Sequence, residues 1–412
     1  MSTNSPEVSR PLPDRPNLRH LKDQAKDLLK AGGAASLTDA QFKIARLYGF
    51  ASWPKLKAHV ESLEELGELK HAIDTNDFER VKTLMTRNPA LHRAPLGYNK
   101  NGPLTWVAEC RVPWEPPSPA RLAIANWMID NGSDVHQGGD GPLMRAALFG
   151  QHIPMMELLV SHGADVNAEW NGYFPILFAP CETVEPAPIK WLLEHGADPN
   201  CAKPDRKYPG TALDQVILSY GRSRQLGDCI DILLEAGGVT KYDSPPVLDL
   251  LRGRLDLLAE HLDADPGLVN RRFPELDIGI TGARQLSLRG ATLLHVTAEY
   301  GIPEAATLLL DRGADVNARA TVDQAGIGGQ TPIFHGGQTP IFHAVTQYSD
   351  WGLPVARLLL DRGADLSIRA KLPGHYQRPG EVVECTALEY AVLFPGSENK
   401  AATLLRERGG EK

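Results

Sequence analysis

Several kinds of chemistry are missing from this 412-residue sequence. Its five cysteines (Cys110, Cys181, Cys201, Cys229, Cys385) are an odd number, widely spaced and without a Cys-x-x-Cys pair. That excludes a disulfide framework and a zinc ribbon and leaves them as small buried hydrophobes. Basic runs are absent, and the formal charge is -8 with a pI near 5.9. A chain of that balance has no electrostatic footprint for nucleic acid or an anionic membrane. No apolar stretch is long and uncharged enough for a membrane span, and "MSTNSPEVSRPLPDRP" lacks the apolar core of a secretory signal. The expectation is a cytoplasmic protein without cofactor, monomeric because no heptad seam is present. The local signatures of catalysis are missing too: GxSxG, HExxH, GxxxxGK, GxGxxG after a strand, and an EF-hand loop.

What is present is a repeated phrase. "LLVSHGADVNAEW" (158–170), "LLEHGADPNCA" (192–202), "LLLDRGADVNARA" (308–320) and "LLLDRGADLSIRA" (358–370) recur, with weaker copies at 128–139 and 233–243. Gly163 and Gly196 stand 33 residues apart, the period of a helix-turn-helix solenoid unit. Paired leucines end a helix on its buried face, and the following glycine takes the left-handed conformation that stops it. Openings answer these endings: "GPLTWVAEC" (102–110), "GPLMRAALFG" (141–150), "FPILFAPCE" (174–182), "GTALDQVILS" (210–219), "ATLLHVTAEYG" (291–301), "TPIFHAVTQ" (339–347) and "TALEYAVLF" (386–394). In the fullest copies Thr caps the helix and Pro fills its first turn, where no donor is lost.

These phrases resemble ankyrin repeats, whose TPLH opening and GADVNA ending stand nearly intact. The resemblance spans about residues 67–412 and implies an all-α solenoid of about nine irregular helix pairs, with hairpin fingers and a groove lined by inner helices. Degenerate units at 68–94 and 246–272 keep helical spacing without the signature words. Long insertions at 111–118, 203–210, 273–290 and 370–384 are expected in loops. Residues 1–66 form a separate helical module. One helix of it carries Leu18, Leu21, Ala25, Leu28 and Leu29 on one face, and the next opens with Thr38 and Gln41 in capping-box spacing, stops at Gly49 and restarts at Ser52. The module is similar to one that precedes ankyrin repeats in bacterial proteins, and it is expected to cover the first repeat.

The ankyrin register implies which residues face the groove: Glu109 and Cys110, Leu148 and Phe149, Cys181 and Glu182, Leu218 and Ser219, Glu299 and Tyr300, Thr346 and Gln347, Leu393 and Phe394. Fingers add Asp140, Trp170, Tyr173 and Tyr208. An aromatic strip with carboxylates suits a protein segment or an extended small molecule, because carboxylates repel phosphates. His295 holds the TPLH histidine position, where the ring hydrogen-bonds backbone. Arg145 and His343 occupy the next position, which is often apolar, and Asp214 replaces an expected histidine, so each needs a polar partner. Two octamers, GGQTPIFH, stand in tandem over 328–343. The second continues as a helix from Thr339, whereas the first is expected to loop out and bring Phe334 and His335 to the groove mouth. The leading expectation is a recognition protein holding a protein segment. The alternative is an enzyme (hydrolase, lyase or isomerase) whose Glu109, Glu182, Glu299 and His343 do acid-base work on a small organic substrate without metal.

Overall fold

The computed structural model describes residues 10–409 except 14–15, 97–98, 100, 111–114, 138–140, 171–173, 202–209, 220, 275, 277–279, 282–283, 287, 321–336, 348–349, 375–377, 379–380 and 394–399. The chain divides into two compact units, Met1–Ala146 with Pro154–Asp165, and Ala147–Ile153 with Val166–Lys412.

The first unit opens with α1 (Leu18–Lys30), α2 (Leu37–Leu47) and α3 (Trp53–Asp74). Asn17 caps α1 by accepting from the amides of Arg19 and His20. The cap of α2 is Ser36, two residues earlier than the expected Thr38. Ser36 accepts from the Asp39 amide at 3.1 Å, while the Asp39 carboxylate takes the amide of Ala35, one residue before the cap, at 2.9 Å. Leu21, Ala25, Ala40, Ile44, Ala45, Tyr48, Leu56 and Val60 form this module's core. Phe42 and Leu47 are 50% and 43% exposed, because Ala40, Ile44 and Ala45 take the inward side of α2. One helix, α3, runs through residue 67, since Gly67 has no left-handed φ and does not break it. The unit continues with α4 (Phe78–Arg87), α5 (Pro103–Glu109), α6 (Pro119–Asp130) and α7 (Pro142–Ala146), and α8 (Ile153–Ser161) belongs to it from Pro154 on.

The second unit alternates inner helices α9 (Phe178–Thr183), α11 (Ala212–Leu218), α13 (Pro245–Leu251), α15 (Leu293–Tyr300), α17 (Pro340–Ala344) and α19 (Ala387–Val392) with outer helices. These are α10 (Pro186–Glu194), α12 (Leu226–Glu235), α14 (Leu255–Ala264), α16 (Pro303–Asp311), α18 (Leu353–Asp361) and α20 (Lys400–Gly409). Among the described residues three antiparallel hairpins make fingers: β1 (Glu169–Trp170) with β2 (Phe174–Pro175), β3 (Ile280–Thr281) with β4 (Arg284–Gln285), and β5 (Ala370–Pro373) with β6 (Val382–Cys385). The second lies inside the insertion 273–290, and the third spans the insertion 370–384 and ends one residue beyond it.

The repeated words do the work expected of them. Gly313 and Gly363 sit at φ 89° and 86°, and the amides of Ala314 and Ala364 bond back to Leu309 and Leu359 at 2.9 and 3.0 Å. The Asn of the ending bridges to the following repeat. Asn167, Asn200, Asn270 and Asn317 donate to the carbonyls of Gly196, Gly237, Gly313 and Gly363, and accept from the amides of Asp198, Val239, Asp315 and Asp365. Each rung satisfies a helix-terminal carbonyl of its neighbour. In the first unit His136 takes the accepting half of this role, receiving the Asp165 amide on Nε2 at 3.1 Å.

Candidate functional site

Inner helices in these units present the same register. Glu109 lies six residues after Pro103 on α5, and Glu299 six after Leu293 on α15. Arg145 and His343 each lie three residues after the proline that opens α7 or α17. Positions three apart share a helix face, so the carboxylate of one repeat meets the cation or imidazole of the next.

In the first unit, Arg145 Nη2 donates to Glu109 Oε1 at 2.5 Å, with the Glu109 side chain 2% exposed. Beside it Trp106 donates its indole N–H to Asp74 at 2.7 Å, and Lys70, paired to Asp74 at 3.0 Å, lies 4.0 Å over the Trp106 ring. Cys110 closes α5 in the left-handed region at φ 48°. Burial pushes its thiol up to about 11.

In the second unit the arrangement gains an arm. Arg222, in the turn between α11 and α12, places Nη2 2.5 Å from Glu299 Oε1 and donates Nε to the Glu299 carbonyl at 3.0 Å. His343 donates Nδ1–H to Glu299 Oε2 at 2.7 Å. Both carboxylate oxygens are thus engaged, and the side chains of Glu299 and His343 are wholly buried. The Arg222 guanidinium also lies 4.6 Å over the Tyr300 ring, whose hydroxyl donates to the Ile217 carbonyl at 2.7 Å.

His295 packs edge-on against His343, with centroids 5.7 Å apart. It receives the Thr292 amide on Nδ1 and donates Nε2–H to the Gln338 carbonyl at 3.1 Å, the structural role expected of it. Burial, then the neighbouring His343, press its pKa down to about 3. Asp214 does the corresponding job with opposite polarity. It caps α11 reciprocally with Thr211 and accepts from the Thr240 hydroxyl at 2.6 Å and the Lys241 amide at 3.0 Å. The next repeat offers donors there, so a carboxylate replaces the imidazole.

Glu109, Cys110, Glu299 and Tyr300, expected to face the groove, are therefore covered, and so is His343, the acid-base candidate. An ionised carboxylate on an inner helix is stable when its neighbour brings a counter-charge, and that pairing draws the two helices together over it. Arg145, Phe149, Trp170 and Glu182 are half-buried, and Asp214 is buried. Tyr173, Tyr208, Phe334, His335, Phe394 and Asp140 lie outside the described residues. Arg222 carried no signal beyond being one of two arginines in "SYGRSRQ". Burial raises the thiols of Cys181, Cys229 and Cys385 as well, Cys229 to about 12, so these thiols are protonated at neutral pH. Among the described residues no cluster of His, Cys, Asp and Glu suits a metal ion, and no helix is long and apolar enough to cross a membrane.

Stacked helix pairs bridged by Asn rungs and bearing hairpin fingers define the class as an all-α repeat solenoid. The repeats are ankyrin repeats: residues 120–203 match the family described as "Ankyrin repeats (3 copies)", and residues 289–321 and 336–371 match "Ankyrin repeat". The chain is also similar to alpha-latrocrustotoxin-Lt1a of Latrodectus tredecimguttatus, at 30% identity over 105 residues, 25% of this chain. It spans only 7% of that relative's length. Ankyrin repeats have a protein-binding role in general.

Proposed function

We propose that the protein holds a segment of a partner protein along its fingers, with Trp170 as an aromatic anchor. The observation that carries this reading is a ladder of rings leading from a finger to an inner helix. Trp170 stands edge-on to Phe174 at 6.2 Å, and Phe174 edge-on to Phe178 at 5.5 Å. Phe178 is buried, whereas Trp170 and Phe174 are half-buried. A half-buried, well-packed aromatic ring is the kind of residue that dominates interface energies. The chain's charge of -8 favours a protein over a nucleic acid as partner. Acid-base chemistry receives no support: Glu109, Glu299 and His343 are committed to one another or to arginines, and a pocket in which they converge on a substrate is not part of this reading.

The test is selection from a random peptide phage library on the intact protein. Enriched peptides should lose at least about tenfold in affinity to Trp170→Ala, the scale of a hot-spot loss. They should keep it with Glu157→Ala, an exposed change on an outer helix. Peptides indifferent to Trp170→Ala would overturn the reading.

A further inference from the structure

The turns that join inner to outer helices in the second unit enclose a cavity of about 300 Å³, lined from the start of α12, the α13–α14 turn, and the starts of α16 and α18. Its two rings are held in place. Tyr300 is anchored through its hydroxyl to Ile217, and Trp351 donates its indole N–H to the Tyr300 carbonyl at 2.8 Å. Gly301 between them is at φ 65°, and a Cβ there would run into the Trp351 indole, so the ring lies directly on bare backbone. Trp351, Ile302 and Pro354 give the cavity an apolar wall.

Its charges sort into two groups. Arg252 is locked by Asp231 at 2.5 Å and Asp249 at 3.1 Å. Arg224, Asp228 and Glu304 line the same space, are exposed, and make no ion pair among the described residues. One unused cation and two unused carboxylates therefore border an aromatic wall. A purely anionic ligand would face Asp228 and Glu304, and a purely cationic one would face Arg224. A ligand carrying both charges beside an apolar group meets all three.

We propose that this cavity binds a free α-amino acid with an apolar or aromatic side chain. Its carboxylate pairs with Arg224, its ammonium group with Asp228 and Glu304, and its side chain lies on Trp351. The volume stands at the small end of ligand pockets, which suits an amino acid. The site is separate from the fingers and does not depend on the reading given for them.

Calorimetric titration of the full chain tests it with four probes: L-phenylalanine, phenethylamine (no carboxylate), 3-phenylpropionate (no ammonium) and inorganic phosphate. L-phenylalanine should bind at least about tenfold more tightly than either truncated analogue, the scale of one lost charge-assisted hydrogen bond. Arg224→Gln should weaken L-phenylalanine and leave phenethylamine unchanged. Glu304→Gln should weaken L-phenylalanine and leave 3-phenylpropionate unchanged. Both residues are exposed, so neither change threatens the fold, and Trp170→Ala should leave the affinity as it was. Equal binding of the three organic probes, competition by phosphate, or no heat with L-phenylalanine would each overturn the proposal.

Discussion

Glu109 and Glu299 occupy the same place in the repeat, yet among the described residues the contacts of Glu299 reach further along the chain. Glu109 meets the next inner helix through Arg145, whose side chain is 17% exposed. Glu299 meets the next inner helix through His343 and also Arg222, 77 residues earlier in the chain. In a repeat array each unit ordinarily touches only its neighbours. Arg222 breaks that rule by passing the intervening α13 repeat. The Tyr300 hydroxyl on Ile217 strengthens the same link. The first site is a joint between adjacent repeats, and the second is a strap across three.

The strap should fail hardest when its centre is removed. Glu299→Ala leaves Arg222, 7% exposed, as an uncompensated buried cation, and we expect a loss of about 3–5 kcal/mol in urea unfolding. Arg222→Met with Glu299→Leu and His343→Phe together should recover most of that, because apolar groups of similar volume incur no desolvation of charge. A loss below about 1 kcal/mol for Glu299→Ala, the scale of a surface pair, would show that the strap is solvated.

Acid should separate the two sites next. The second site has His295 beside His343, whereas the matching position on α5 is Thr105, which does not titrate. His295 has a folded pKa of about 3, below the ordinary 6.5. Between those values the unfolded chain holds a proton that the folded one excludes, because protonated Nδ1 could not accept the Thr292 amide. Stability is therefore full above about pH 6.5 and falls by about 1.4 kcal/mol per unit as the pH drops towards 3. Urea midpoints of the wild type and His295→Gln at pH 7 and pH 4 check this. The variant should lose less on acidification, and parallel losses would remove His295 as the cause.

Arg145→Met should cost less than the Glu299 change, about 1–3 kcal/mol, since a half-buried Arg145 leaves Glu109 closer to water. Adding Glu109→Gln should restore part of the loss by removing the charge. If the single variant proves as costly as Glu299→Ala, the two sites are equivalent and the contrast between joint and strap falls.

Much of this was legible because the repeat's signals are local. A Gly in the left-handed region after paired leucines, and a Thr or Ser one turn before a carboxylate, are turn chemistry that needs no knowledge of neighbours. The oddity of Arg145, His343 and Asp214 was legible for the same reason. Their partners were not, because a pair between helices depends on which helix packs alongside. Arg222 was invisible because its turn belongs to no motif and its partner lies two repeats on. The α2 cap was misplaced because both Ser36 and Thr38 stand three residues before a polar side chain, and only the fold shows that it is Ser36 that takes an amide of the first turn.

The smallest effect concerns His136. Every Asn rung in the second unit both donates to a glycine carbonyl and accepts an amide, whereas His136 accepts the Asp165 amide through Nε2 and stands half open to water. His136→Asn should let one side chain accept from Asp165 and donate to the Gly163 carbonyl, copying what Asn167 does at Gly196. One added exposed hydrogen bond is worth about 0.5–1 kcal/mol. Amide hydrogen exchange at Asp165 checks this: protection should rise in His136→Asn. Unchanged protection would mean that the rung contributes nothing to holding these repeats together.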